Sequence, residues 1–305
     1  MADQMTGAMT ADTIQGSGGI GRLRSSLWIL VLPALLFVIL FFLIPVLSLF
    51  ASSFDKASAG VITFQGNFSW DNYERIFTRP LYYMAIFRSV YLGAAAALIC
   101  LIIGYPLAFI IARTARPGAA LLLTILVLAS MQLDMVIRLY GMMVLMGDNG
   151  LINAGLTKIG LISEPLPLMY NRFGVVVGLV QVTLPFMVLS LIGAIKSINP
   201  ALEEAARSLG SSRWHVMRTI SWPLSLPGVY AGTLLVFALA VSSYVVPALM
   251  GGWKVVTLPI HIYQQIAEVG RWQFGAAIAG VLFLTSLFAM ALYILALRRN
   301  AGGRV

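Results

Sequence analysis

Charge is what this chain has least of, and the shortage excludes the most. Only 10% of its 305 residues are charged and 60% are hydrophobic, whereas a soluble domain carries about 25% charged residues. Cysteine is nearly absent. Cys100 stands alone, so no internal disulfide framework exists and no metal-ligand spacing surrounds it; a small packing residue is what remains. The two histidines, His215 and His261, fall on opposite sides of the long apolar runs and cannot share a metal. No nucleophile, base and orienter stand together, and no cluster of His, Asp or Glu recurs at one membrane depth, which argues against an intramembrane enzyme. A Gly-x4-Gly-Lys-Ser/Thr loop is also missing, so no ordinary phosphate cradle for ATP is present.

Apolar runs are plentiful. A spanning helix needs about 20 predominantly apolar residues. Six runs meet that length, approximately Leu27–Phe50, Met84–Ala112, Ala119–Met146, Phe173–Ile195, Pro227–Met250 and Phe274–Leu297. The expected fold class is therefore all-α, a polytopic membrane protein with six transmembrane helices. The expected organisation is a polar, disordered tail over 1–26, a membrane domain over 27–297 and a short tail over 298–305. The first run is too long for the core of a cleavable signal.

The net charge of +9 is topological and does not mark a nucleic-acid binder. Arg22 and Arg24, Arg113 and Arg116, Lys196, Arg207, Arg213 and Arg218, and Arg298, Arg299 and Arg304 all lie on one side of the six-run layout. The positive-inside rule makes that side, with both termini, cytoplasmic. On the other side, Ser69-Trp70-Asp71-Asn72 starts a short helix carrying Tyr73, Ile76 and Phe77, expected to lie along the outer leaflet. Gly147–Arg172 reads as loop with one short helix, and Gly251–Gln273 as a Gly pair followed by a short helix. Pro33, Pro45, Pro106, Pro185 and Pro247 fall inside runs, where each removes a backbone hydrogen bond and bends its helix.

One polar interruption is patterned. Within the loop 196–226, Asn199-Pro200 is a helix start: Asn caps free N–H groups and Pro suits the first turn. Glu203 and Glu204 follow where the helix dipole favours negative charge. Leu202, Ala205, Ala206 and Leu209 form one apolar face, and Gly210 supplies a left-handed end. Ser211 and Ser212 can cap a second short helix bearing Trp214, Met217 and Ile220, which Pro223 is expected to stop. From spacing alone, the apolar face either packs on the chain's own helix ends or docks another protein.

Glu204-Ala205-Ala206, three residues, Gly210, nine residues, Ile220, two residues and Pro223 resemble the EAA motif of bacterial binding-protein-dependent ABC importer permeases. Trp222 stands where that motif usually has Leu. Ser243-Tyr244-Val245-Val246-Pro247, Gly251-Gly252 and Trp272-Gln273-Phe274-Gly275, with the six-run layout, are similar to the spermidine/putrescine-type permeases. The resemblance covers most of 27–297 and implies the type I importer fold. It implies that Glu203, Glu204, Ala205, Ala206, Gly210, Ile220 and Pro223 serve ATPase docking, in coupling helices seated on ABC ATPase subunits. ATP and Mg would be bound by those subunits, and no cofactor by this chain. It further implies a second permease subunit in a heterodimer, a periplasmic solute-binding protein, and a place in the bacterial inner membrane. The carried solute would be a polyamine or a related small organic molecule such as an opine or amino-acid derivative. A channel or receptor-like membrane scaffold without ATP coupling is the alternative, and would leave the spaced docking loop without a purpose.

Asp134 and Arg138 lie within the third run. A charge at the centre of a spanning helix costs about 2.5–3.5 kcal/mol on insertion scales, so such residues are partnered or functional. Four residues apart, they are expected to stack on one helix face, either as an internal ion pair or lining the solute path. Tyr140, Gln181, Ser243 and Tyr244 complete the expected path. Asp134 and the tyrosines suit a cation, whereas Arg138 suits an anion or zwitterion.

Overall fold

A computed structural model of the chain describes residues 32–56, 60 and 66–301. The tail expected over 1–26 lies outside the described residues. Contacts divide the chain into two units, Met1–Ala51 and Ser52–Val305. The first contains all but the last residue of an apolar helix, α1 (Leu32–Ser52), whose turns widen to a π-helix over Ile39–Leu43. Pro45 has no N–H to give residue 41, and its ring would press on that carbonyl; widening the turn relieves both problems.

Among the described residues of the second unit the α-helices are α2 (Asp71–Thr78), α3 (Pro80–Arg113), α4 (Pro117–Gln132), α5 (Met135–Met146), α6 (Leu151–Lys158), α7 (Arg172–Lys196), α8 (Pro200–Ser208), α9 (Arg213–Val241), α10 (Leu258–Tyr263) and α11 (Trp272–Ala301). Among the described residues no strand forms; one isolated bridge joins Asp55 and Phe68. Six helical segments among the described residues are long and apolar enough to cross a bilayer. The last, α11, continues to Ala301, into the expected tail, and 302–305 lie outside the described residues.

At the centre α3, α7 and α9 pack on one another. Buried Cys100, Ile111, Met187, Leu191, Val229 and Val236 fill the space between them. Small residues set how closely they approach, as expected where lipid gives no hydrophobic drive between helices. A Cβ on Gly228 of α9 would lie 2.1 Å from the Ala194 Cβ of α7, and one on Gly93 of α3 would lie 2.4 Å from Val241 Cγ2. A second cluster joins Leu139 of α5 to Val175, Leu179, Val246 and Met250. A third joins Ile76 of α2 to Tyr82, Leu258 and Phe274. There the Arg75 guanidinium lies 4.9 Å from the Phe274 ring centre, a cation–π contact.

Three expectations change. The third run is not one helix. Leu133 is extended (φ −75°, ψ 136°) between α4 and α5, and α6 follows after Gly150. The fifth run stops at Val241; a turn at Ser242 then precedes a π segment over Pro247–Gly251. Pro223 stops nothing. The chain passes through a π segment, Met217–Ser221, straight into the rest of α9. The missing N–H of Pro223 falls opposite residue 219, inside the widened turn, so the helix continues past it.

The short helices α2, α6 and α10 form where the sequence places them. Asn72 holds the start of α2 by donating to the carbonyls of Ser53 and Asp55 at 2.9 and 2.7 Å.

Candidate functional site

The patterned loop becomes α8 with both ends locked. Asn199 Oδ1 accepts the Ala201 N–H at 3.0 Å, and Pro200 occupies the first turn. At the other end Gly210 N–H reaches the Arg207 carbonyl at 3.0 Å and Ser211 N–H reaches Ala206 at 3.1 Å. With Gly210 at φ +88° this is a Schellman closure. No atom lies within 4 Å of a Cβ built on Gly210, so its backbone angle, not crowding within this chain, calls for glycine. Ser212 Oγ then accepts the His215 N–H at 3.3 Å and starts α9.

The apolar face of α8 does not pack on the chain's own helix ends. Leu202 is 49% exposed, Leu209 88% and, just beyond, Trp214 68%. Glu204 and Ala205 are also exposed, and Ala206 is half-buried. Covering a leucine or similar apolar side chain fully is worth about 1.5–3 kcal/mol, so these residues together leave several kcal/mol uncollected.

Glu203 faces the other way. Its Oε1 accepts from Arg113 Nε at 2.9 Å and from Ser221 Oγ at 2.9 Å, and lies 2.9 Å from Arg113 Nη2 in an ion pair. Arg113 Nη2 also reaches the Ile198 carbonyl at 3.1 Å. Only 13–15% of these two side chains is accessible, and charge-assisted bonds in such a setting outweigh neutral ones. One carboxylate thus fastens α8 to the end of α3 and to the π segment of α9. Glu203 is therefore not on the expected docking surface with Glu204 but turned inward, and Arg113, whose charge marks topology in the sequence, is its partner. A cleft of about 520 Å³ opens beside this node, lined by Arg113, Glu203, Glu204, Arg207 and Arg213 among others.

Ile220, in the π segment of α9, and Pro223, just after it, are half-buried. Trp222, the departure from the usual motif, is accommodated edge-on against Tyr105, with ring centres 4.7 Å apart. Tyr105 and Ser225 hydroxyls meet at 3.0 Å beside it.

The intramembrane pair is not the stacked pair expected. Asp134 is the N-cap of α5, where Oδ1 accepts from Val136 and Ile137 N–H at 2.8 and 3.3 Å. Among the described residues it makes no ion pair with Arg138. The break at Leu133 exposes free N–H groups, and a carboxylate satisfies two of them more cheaply than it could sit mid-helix. Arg138 keeps Nε and Nη1 buried without a hydrogen-bond partner, as does Gln181 with Oε1. Leu139 approaches Gly178, so both residues flank the crossing of α5 and α7. Tyr140 is 54% exposed.

Ser243 and Tyr244 lie at the other end of α9, about 40 Å along the helix from its start. Ser243 is half-buried in the turn. The Tyr244 ring stacks on Tyr263, with centres 4.7 Å apart at 29°. They share a 400 Å³ cavity with Trp253, Gln264 and Glu268. Burial, then the neighbouring Tyr263 and Glu268, raises the Tyr244 pKa above the ordinary phenol value. Nothing in the sequence linked Tyr263 or Glu268 to Tyr244; the short helix carrying them had no registered partner.

This architecture has known counterparts. The description "Binding-protein-dependent transport system inner membrane component" matches residues 104–300. The chain is 35% identical to the spermidine/putrescine transport system permease protein PotB of Haemophilus influenzae, over 84% of this chain and 88% of that protein. It is 35% identical to PotB of Escherichia coli, over 79% and 86%. A bacterial alginate ABC transporter, solved with an alginate pentasaccharide-bound periplasmic protein, superposes with a TM-score of 0.71 at 19% identity, covering 88% of this chain and 93% of that one. With the six membrane-length helices, these relationships establish that the chain belongs to the family of binding-protein-dependent transport system inner membrane components, as a multi-pass permease subunit of an ABC importer.

Proposed function

We propose that this permease moves a polyamine or a related small organic solute, powered by separate ATPase subunits that dock on α8. The observation that carries the docking is the exposed face of Leu202, Ala205 and Leu209, held rigid by two caps and the Glu203–Arg113 tether. Glu204, Ala205, Ala206 and Gly210 form the contact. Ile220 and Pro223 shape the start of α9 behind it, and Glu203 positions the helix from inside. ATP and Mg belong to the ATPase subunits, and this chain needs no cofactor. A second permease subunit completes the path in a heterodimer, with Arg138, Tyr140 and Gln181 beside it. A periplasmic binding protein delivers the solute at the α10 end of the molecule, and α8 and both termini are cytoplasmic.

The coupling is a shift of populations. ATP favours the closed ATPase pair, and closure biases the permease only if the docked α8 binds the two states unequally. Because α8 is tied to α3 and α9 through one carboxylate, displacing it pulls on two central helices at once. The solute class is supported by the PotB relatives, which are spermidine/putrescine permeases by name.

The test is uptake of labelled spermidine by vesicles containing the complete importer, with binding protein outside the solute-entry face and ATP at the ATPase face. ATP-dependent accumulation supports the reading. Equal accumulation without ATP would point to a channel and overturn it.

A further inference from the structure

We propose that the cavity between Tyr244, Trp253, Tyr263 and Glu268 is a binding site for an alkylammonium group of the solute, on the importer reading given above. The cavity of about 400 Å³ falls in the size range of small-molecule sites, roughly 300–1,000 Å³. Its lining has one acid, Glu268, and no lysine or arginine. Three aromatic rings accompany that acid, and aromatic faces carry negative potential that attracts ammonium groups. The Tyr244–Tyr263 stack forms a wall. Trp253, 84% exposed, stands at the rim, just after the Gly251-Gly252 turn, where Gly252 takes φ +54°. Gln264 adds an amide that can accept a hydrogen bond from the same ammonium.

Position adds to chemistry. The wall is built from the turn that ends α9 and from α10 with its π continuation. Helix α9 begins in the segment tied to α8 through Ser221. A shift imposed at α8 therefore travels along α9 to Val241 and into the turn that carries Tyr244, and can part Tyr244 from Tyr263, which belongs to a different element. The cup is thus placed to hold an amine in one state and release it in the other. Arg138 and Gln181 are not in its lining, which removes the conflict that the sequence alone raised between Arg138 and a cationic solute.

The test uses the complete importer in vesicles, saturating spermidine-loaded binding protein, and two measurements: spermidine moved and ATP hydrolysed. Glu268→Gln should lower spermidine moved per ATP about tenfold, the cost of one lost ionic contact of moderate strength, with ATP hydrolysis retained. Glu268→Asp should restore most of it. Tyr263→Phe, which keeps the aromatic face, should transport well, whereas Tyr263→Leu should not. Wild-type spermidine uptake with unchanged coupling in both Glu268→Gln and Tyr263→Leu overturns the cup and leaves the importer reading intact. Absence of spermidine and putrescine uptake by the wild type, with ATPase subunits still bound, overturns the cup together with the amine solute but not the docking. A parallel fall of transport and hydrolysis in Glu268→Gln, unrescued by Glu268→Asp, marks a structural lesion and also overturns it.

Discussion

Glu203 and Glu204 are adjacent in sequence and face opposite surroundings. Glu204 is exposed, while Glu203 accepts two hydrogen bonds inside the molecule and pairs with the Arg113 guanidinium. Replacing Arg113 by Ala leaves that half-buried carboxylate with Ser221 alone, and a buried charge stripped of its partner is costly. The expected result is a fall in ATP-driven uptake of about tenfold or more, corresponding to at least about 1.4 kcal/mol of lost coupling. Exchanging the charges, Arg113→Glu with Glu203→Arg, should recover part of it. Uptake and melting temperature of the purified complex measure the two effects separately. His261 offers a pH test. It is 3% exposed, with its ring edge-on to Tyr82 and Nδ1 3.1 Å from Gln264 Oε1. Burial holds its pKa below the ordinary value of 6.5. The unfolded chain therefore takes up the proton first as pH falls, so the stabilisation is complete above about pH 6.5 and is lost below it. The complex should melt lower at pH 5.5 than at pH 7.5, and His261→Gln should shrink that difference.

At the scale of elements, what was readable in the sequence is what is decided locally. The ends of α8 are written in Asn199-Pro200 and Gly210, because a cap and a left-handed residue act on backbone groups within a few positions. The break between α4 and α5 was not readable from apolar content, which is continuous through Leu133. Asp134 was the only sign, and a lone acid in an apolar run fits an ion pair as well as a cap. The tether was hidden because Arg113 and Glu203 are 90 positions apart, and the aromatic cup because Tyr244 and Tyr263 meet only when α10 folds back. Pro223 misled because a proline that ends an ordinary α-turn can be absorbed by a π-turn. Gly210 supplies the prediction at this scale. Its φ of +88° costs a residue with a Cβ roughly 1–2 kcal/mol, while Asn tolerates that region better. Gly210→Val should reduce uptake more than Gly210→Asn, with membrane insertion of both, judged by protein in the membrane fraction, unchanged.

For the whole molecule, the proposed function divides the labour in two: the central packing of α3, α7 and α9 would carry force, and the exposed face of α8 would receive it. The hydrocarbon core of the bilayer does not cover that face, because α8 joins two spanning helices through a loop holding Glu204, Arg207, Arg213 and Arg218, charges that belong in water. Cys100, the single native thiol, is buried, so a cysteine introduced at an exposed site is the main reactive thiol of the chain. The most direct measurement is therefore cross-linking from Leu209→Cys in the complete importer. A bond to the ATPase subunit, lost when Ala205→Arg is added while the permease stays in the membrane, is the predicted result. No ATPase adduct from Leu209→Cys, with full ATP-driven uptake persisting in Ala205→Arg, would contradict it.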